Sequence, residues 1–85
     1  MIETSTSAVV RAAVIETLGL HDREGTITEE TLLFGSMPEL DSLALVELIT
    51  ALEDRFGFEM DEADITADVF ESVGSLTAHI DGQLE

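Results

Sequence analysis

The sequence predicts an all-α protein: a small four-helix bundle with three main helices, one short helix and a long loop between the first and second helices. Three segments repeat apolar residues at helical spacing, and each is bounded by residues that start or stop helices. No segment shows the alternation of apolar and polar residues that is typical of a strand. The chain has 85 residues, so we expect residues 1–85 to form a single domain.

The first helix is expected from Ser5 or Ser7 to Leu18. Serine and threonine at its start are common N-caps, and Gly19 stands where a C-terminal cap belongs. The loop that follows covers residues 20–40 and is interrupted by glycine and proline. Five apolar residues are expected to anchor this loop to the core: Ile27, Leu32, Leu33, Phe34 and Leu40.

The second helix is expected to begin at Asp41 or Ser42 and to end at Phe56, before Gly57. On a helical wheel, five apolar residues share the expected core face: Leu45, Leu48, Ile49, Leu52 and Phe56. The opposite face carries apolar and acidic side chains together: Leu43, Val46, Glu47, Glu53 and Asp54. Apolar groups rimmed by charges of one sign favour transient docking of another protein, although an ordinary solvated face remains an alternative.

The last third of the chain is expected to be irregular at first and then helical. Residues 58–66 are acidic and lack a clear period, and a short helix is expected around residues 67–70. The last helix is expected to start near Ser72 or Ser75. Its inward-facing residues at helical spacing are Val73, Leu76, Ile80 and Leu84.

The charge of the chain excludes several classes of function. Nineteen acidic residues face three arginines and no lysine, which gives a net charge of −16. Such a charge repels nucleic acids and anionic membranes and attracts basic protein surfaces, and it favours a monomer. The absence of cysteine excludes disulfides and thiol chemistry by the chain itself. We see no signal peptide or transmembrane stretch, so we expect a cytoplasmic protein without membrane insertion.

Asp41, Ser42 and Leu43 place a hydroxyl at the start of the second helix. Free backbone N–H groups and the helix dipole favour an anion there, such as a phosphodiester. The same residues also fit an ordinary N-cap, and spacing alone leaves both interpretations open. Ser36 is a second loop serine, but no helix follows it directly, so it lacks the cluster of free N–H groups that Ser42 has.

Residues 39–48, Glu-Leu-Asp-Ser-Leu-Ala-Leu-Val-Glu-Leu, resemble the acyl carrier protein family, and the likeness extends over nearly the whole chain. The resemblance implies a four-helix carrier fold in which Ser42 holds a 4′-phosphopantetheine arm. A separate phosphopantetheinyl transferase adds this arm from coenzyme A. The thiol of the arm carries acyl groups as thioesters, so the resemblance implies a carrier in lipid, fatty-acid or specialised-metabolite synthesis and not an enzyme.

The resemblance also implies partners and a binding groove. Acyl ligases, synthases and acyltransferases of such pathways dock through basic patches. By position, the docking residues are Asp41, Leu43, Val46, Glu47, Glu53 and Asp54. A groove between the second helix and residues 58–70 is expected to shelter part of a longer acyl chain, with Ile65 and Phe70 as candidate wall residues.

Three departures from housekeeping fatty-acid carriers favour a specialised carrier. Ala44 stands where those carriers usually have an acid, residues 35–40 differ from their short approach to the serine, and the loop at residues 58–70 is slightly longer. These departures favour a dedicated ligase or synthase as the partner. Two alternatives remain at this stage: a dedicated aminoacyl or D-alanyl carrier, and an acidic helical adaptor that carries no cargo.

Other sites are not supported by the sequence. Ser42, His21 and His79 do not make a hydrolase, because the nucleophile motif Gly-x-Ser-x-Gly is absent. Two isolated histidines without cysteine are a poor zinc site. The acidic run at residues 61–68 lacks the glycine and the spacing of a calcium loop. We therefore expect no catalytic residue and no metal.

Overall fold

The computed structural model describes residues 5–84, and all its α-helices and 3-10 helices lie within that range. The α-helices are α1 (Thr6–Leu18), α2 (Ser42–Phe56) and α3 (Val73–Leu84). A first 3-10 helix (His21–Thr26) follows α1, and a second (Glu62–Asp64) follows α2. The all-α fold class is confirmed, and α1 and α2 have the bounds that the sequence predicts.

Local chemistry explains where α1 and α2 begin and end. The Ser5 hydroxyl accepts a hydrogen bond from the backbone N–H of Ala8 at 3.1 Å, which caps α1. Gly19 and Gly57 end α1 and α2 in the left-handed conformation, each with a φ of 67°. Glycine adopts this conformation without a steric penalty, so both helices stop where the sequence predicts.

The core forms because α1 packs against both α2 and α3. The larger core side chains are almost completely excluded from solvent; they include Leu48, Leu52, Phe70, Leu76 and Ile80. The core face of α2 is turned slightly from the one expected. Ala44 is buried with Leu48 and Leu52, whereas Leu45, Ile49 and Phe56 are only half-buried at its margin.

The long loop is held to the start of α3 by backbone hydrogen bonds of 2.8–3.0 Å. They run from Leu33 to Glu71, from Phe34 to Phe70, from Val73 to Thr31 and from Gly74 to Glu29. The segments meet antiparallel at one isolated bridge, and no strand is formed within residues 5–84. Residues 70–74 thus hold the loop at residues 29–34, although the two segments are about 40 residues apart in the sequence.

Three expected core residues are exposed instead. Leu32 is 53% exposed and Phe34 is 44% exposed, whereas Leu33 between them is buried. In an extended segment, neighbouring side chains point to opposite sides, so burial of Leu33 turns Leu32 and Phe34 outward. Leu84, in the last turn of α3, is 47% exposed and does not face the core. The other loop anchors, Ile27, Leu33 and Leu40, are buried as expected.

The short helix expected around residues 67–70 is not a helix in the structure. These residues form a turn, closed by a bond of 3.1 Å from the N–H of Phe70 to the carbonyl of Thr66. The helical turn lies earlier, at Glu62–Asp64, where the Asp61 carboxylate caps the N–H of Ala63 at 2.9 Å. A side-chain cap therefore starts the short helix five residues before the expected position.

A helix that crosses a membrane must be both long and apolar. No helix within residues 5–84 meets both requirements.

Candidate functional site

Ser42 is the first residue of α2, and its side chain is exposed. The N-cap of this helix is Asp41, which has an extended backbone and accepts a hydrogen bond on Oδ1 from the N–H of Ala44 at 2.8 Å. Of the two capping residues that the sequence allows, Asp41 is therefore the one used. The Ser42 hydroxyl lies beside the cap without taking part in it.

The Ser42 hydroxyl belongs to the first turn of α2, where backbone N–H groups stand at the end of the helix. The carbonyl of Asp41 accepts the bond from Leu45 at 2.9 Å, and its carboxylate accepts the bond from Ala44. The first N–H groups of an α-helix have no acceptor within the helix. Those of Ser42 and Leu43 are thus oriented toward the end at which an anion on the Ser42 oxygen would lie. The residues present fit a phosphodiester at this position.

The approach to Ser42 is a tight loop with one buried anchor. The carbonyl of Leu33 accepts bonds from Ser36 at 3.0 Å and from Met37 at 2.8 Å, and the N–H of Leu40 bonds to the carbonyl of Met37 at 3.0 Å. Gly35 has a φ of 89°, which favours glycine at this point of the turn. Leu40, two residues before Ser42, is only 4% exposed and fixes the loop to the core.

All three arginines are engaged in contacts that join elements of the fold. Arg11 of α1 donates to backbone carbonyls of the first 3-10 helix and of Ile27 next to it. The other two arginines form ion pairs, Arg23 with Glu39 and Arg55 with Glu16. Within residues 5–84, most carboxylates consequently have no arginine beside them.

One face of α2 is exposed and acidic with two apolar side chains. Leu43 is 70% exposed and Val46 is 59% exposed. Glu47 and Asp54 are exposed on the same face of the helix. The structure thus brings together four of the six residues expected to dock partners, beside Ser42 and the cap residue Asp41.

Glu53 differs from the other expected docking residues. It is half-buried, and its carboxylate accepts a hydrogen bond from the backbone N–H of Met60 at 2.8 Å. This bond crosses the turn that ends α2 and holds the following segment against the helix. The sequence pattern places Glu53 on the outer face, but its partner is a backbone group that no side-chain pattern reveals.

The two candidate groove residues occupy different environments. Phe70 is 1% exposed and belongs to the core, whereas Ile65 is half-buried at the edge of the core. A cavity of about 150 Å³ lies elsewhere, between α1 and the first 3-10 helix. Its lining consists of Arg11, Ala12, Ile15, Glu16, His21 and Glu24, so charged side chains stand on both of its walls.

The histidines are separate from Ser42 and from each other. His21 is exposed on the first 3-10 helix, and His79 of α3 lies with its Nε2 3.6 Å from Oδ2 of Asp64. Within the described part of the chain, no three His, Cys, Asp or Glu side chains converge in a way that could hold a metal ion. The exposed hydroxyl at the start of α2 is thus the candidate site.

Known carrier proteins are similar to this chain over most of its length. The family described as "Phosphopantetheine attachment site" matches residues 8–80. An acyl carrier protein of Thermotoga maritima is 33% identical over 75 residues, which is 88% of this chain and 86% of the relative. The solution NMR structure of a holo acyl carrier protein from Nitrosomonas europaea matches with a TM-score of 0.82 and 42% identity, over 93% of this chain and 94% of that one.

These matches favour a carrier over an adaptor that carries no cargo. They cover α1, α2 and most of α3, so the likeness includes the whole architecture around Ser42. The cofactor of this fold is 4′-phosphopantetheine, which agrees with the fit of a phosphodiester at the start of α2. The chain belongs to the acyl carrier protein family, whose members carry acyl groups and are not catalysts.

Proposed function

We propose that Ser42 is the residue that holds the 4′-phosphopantetheine arm. The observation that carries this proposal is the division of roles at the start of α2: Asp41 caps the helix, and the neighbouring hydroxyl stays exposed. Ser36 is also exposed, but it lies inside the turn before Leu40 and not at a helix end. Ser42 alone of the two combines an exposed hydroxyl with free helix N–H groups.

The chemistry at Ser42 is the formation of one phosphoester bond. The hydroxyl oxygen bonds to the phosphorus of coenzyme A that carries the pantetheine, the phosphoanhydride bond breaks, and adenosine 3′,5′-bisphosphate leaves. A separate phosphopantetheinyl transferase supplies the base that takes the hydroxyl proton. The arm supplies a terminal thiol that this cysteine-free chain lacks, and acyl groups are carried on it as thioesters.

The partners that we propose are acyl ligases, synthases and acyltransferases with basic docking patches. Leu43 and Val46 supply apolar contact area, and Glu47 and Asp54 attract and orient the partner. Asp41 lies at the start of this surface and Glu53 at its half-buried margin, and each also makes a structural bond. Exposed charges are screened by salt, so docking should weaken as ionic strength rises. The departures at Ala44 and residues 35–40 support a dedicated partner of a specialised pathway.

We also propose that long acyl chains enter between α2 and residues 58–70. Ile65 is at the margin of the core, and Phe70 is inside it. An acyl chain would therefore have to displace contacts of the core in order to enter. Decanoyl cargo should therefore raise the melting temperature relative to the bare arm, because a ligand bound only to the folded state stabilises it. An unchanged melting temperature would refute this groove.

Three further expectations stay predictions: that residues 1–85 form a single domain, that the protein is a monomer, and that it is cytoplasmic.

The experiment that tests the attachment site compares three proteins: the unchanged chain, Ser42→Ala and Ser36→Ala. Each is incubated with coenzyme A, Mg²⁺ and a broad-specificity phosphopantetheinyl transferase, and its intact mass is measured. We expect the unchanged chain and Ser36→Ala to gain one arm and Ser42→Ala to gain none. Circular dichroism confirms that each variant is folded. An arm on folded Ser42→Ala would show that another residue is modified.

A further inference from the structure

The Arg23–Glu39 ion pair joins the first 3-10 helix to the loop that leads to Ser42. Glu39 stands three residues before Ser42, and both partners of the pair are partly exposed. Among the hydrogen bonds of residues 5–84, this is the side-chain bond that connects residues 35–40 to a different element. Apart from a bond from the backbone N–H of Glu39 to its own carboxylate, the other hydrogen bonds of those six residues are local backbone bonds.

Arg23 is itself held firmly by the elements behind it. Its backbone N–H bonds to the carbonyl of Leu20 at 2.9 Å, and Leu20 is 1% exposed. Arg11 of α1 fixes the far end of the first 3-10 helix, because its Nε donates to the carbonyl of Ile27 at 2.6 Å. A continuous series of contacts therefore runs from α1 through Arg11 and Arg23 to Glu39.

The carboxylate of Glu39 is charged over a wider pH range than an ordinary glutamate. A hydrogen bond from its own backbone N–H and a second one from Arg23 hold its pKa below the usual 4.5. Both partners of the pair are therefore charged at neutral pH. Two nearby bonds, from the N–H of Leu40 to Met37 and from Ala44 to Asp41, continue the ordered path into α2.

We propose that Arg23 and Glu39 are positioning residues for the attachment of the arm: their ion pair fixes residues 37–41 so that the Ser42 hydroxyl is presented in one orientation. This inference rests on Ser42 as the attachment site. The loop contains glycine and proline and is mostly exposed, so its ordering by a transferase costs conformational entropy. A pair that orders it beforehand reduces that cost and speeds attachment.

A competing explanation is that Glu39 acts through its charge alone, as one more acid that attracts a basic partner. The two explanations predict opposite changes in the rate of attachment for Arg23→Gln. Arg23→Gln makes the chain more acidic and frees the Glu39 carboxylate, so a charge effect speeds attachment. Glu39→Gln makes the chain less acidic, so a charge effect slows it. Loss of positioning slows attachment in both variants.

The test measures kcat/KM for attachment of the arm by a broad-specificity transferase with coenzyme A. We expect Arg23→Gln and Glu39→Gln each to lower it about two- to fivefold, the range that corresponds to the coupling of an exposed ion pair. The exchanged pair, Arg23→Glu with Glu39→Arg, should return the rate to about the original value, since it restores the contact and keeps the net charge. Arg55→Gln and Glu16→Gln are matched controls, because that pair joins α1 to α2 away from the loop.

Each outcome decides the proposal. A faster or unchanged Arg23→Gln, or failure of the exchanged pair to restore the rate, would overturn it. If Arg55→Gln and Glu16→Gln slowed attachment equally, the effect would come from a general loss of stability, and the positioning role would be refuted. If the unchanged chain accepts no arm, the attachment site is refuted, and amide exchange then tests positioning separately. Exchange of the Leu40 N–H should still be faster in Arg23→Gln and Glu39→Gln, and equal exchange would refute the role of the pair.

Discussion

The carboxylate of Asp41 accepts a hydrogen bond from the backbone N–H of Ala44 at 2.8 Å, and the adjacent Ser42 hydroxyl takes no part in this cap. Two neighbouring residues thus divide two tasks. Asp41 starts α2, and Ser42 remains free for chemistry. A modification of Ser42 does not remove the cap, so the helix can keep its start whether or not the arm is attached.

This division predicts different stabilities for two alanine variants. Asp41→Ala removes the cap and should lower the free energy of unfolding by about 1 kcal/mol. Ser42→Ala should change the free energy of unfolding by less than about 0.5 kcal/mol, because the Ser42 side chain is exposed and makes no cap bond. Asp41→Asn keeps an acceptor and serves as the control. Urea denaturation measures all three, and a loss in Ser42→Ala as large as in Asp41→Ala would contradict this account of the cap.

Glu53 should matter for stability more than the adjacent Asp54. Glu53→Ala removes the acceptor of the Met60 N–H and should cost about 1 kcal/mol. Asp54 is exposed, and Asp54→Ala should change stability by less than about 0.5 kcal/mol. Glu53→Gln retains a side-chain oxygen and should recover most of the loss. Thermal denaturation with amide exchange of Met60 checks this, and unchanged Met60 exchange in Glu53→Ala would refute the bond.

Gly74 should not tolerate a side chain, although it lies in a helix. A Cβ at this position would lie 2.9 Å from the backbone carbonyl oxygen of Glu29, which accepts the Gly74 N–H. Gly74→Ala should therefore destabilise the protein by about 1–3 kcal/mol. Gly82→Ala is the matched control in the same helix, since a Cβ there has open space. It should raise stability by up to about 1 kcal/mol. A stabilising Gly74→Ala would show that the loop can move away.

Substitutions on the outer face of α2 should affect docking, and substitutions on its inner face should affect stability. Leu43 is 70% exposed, so Leu43→Ala should leave the melting temperature nearly unchanged and raise the KM of the transferase for the chain. Leu48 is fully buried, and Leu48→Ala should cost about 2–5 kcal/mol. Val46→Ala should behave like Leu43→Ala. An unchanged KM in both outer-face variants would remove these residues from the docking surface for that enzyme.

The pKa of Glu39 gives a test of its ion pair by pH. Its own backbone N–H and the Arg23 guanidinium lower this pKa below 4.5 in the folded chain. Because the folded value is the lower one, the pair stabilises the fold above the ordinary pKa. This contribution is lost as the pH falls through the folded pKa. A carboxyl NMR titration should show the pKa rising in Arg23→Gln yet staying low, since the backbone bond is the larger cause. No rise would mean that the pair is absent in solution.

Helix bounds and the position of Ser42 could be predicted because their signals are local. Gly19 and Gly57 end α1 and α2, and the acid before Ser42 starts α2. Each of these signals acts within one turn of the chain. The outward face of α2 was equally predictable, since Leu43 and Val46 follow from helical periodicity alone.

The errors arise where distant segments meet. Leu32 and Phe34 are apolar, and only the pairing of their segment with residues 70–74 turns them outward. The Glu53 bond to Met60 involves a backbone group that has no signature in the sequence. The short helix is the exception, because a local signal sets its position: the Asp61 carboxylate caps the N–H of Ala63 and starts the helix at Glu62–Asp64 instead of at residues 67–70. Apolar periodicity predicts which side chains of a segment share one face, but it does not predict which other segment packs against that face.

The most direct test of the central claim locates the arm on the chain. Trypsin cuts after Arg23 and Arg55, so one peptide, residues 24–55, contains both Ser36 and Ser42. Fragmentation of this peptide after treatment with coenzyme A and a transferase assigns the added phosphopantetheine to one residue. We predict that every fragment carrying the arm contains Ser42 and that fragments ending before it are unmodified. An arm on Ser36, or an unmodified peptide from a folded and fully treated chain, would contradict the account.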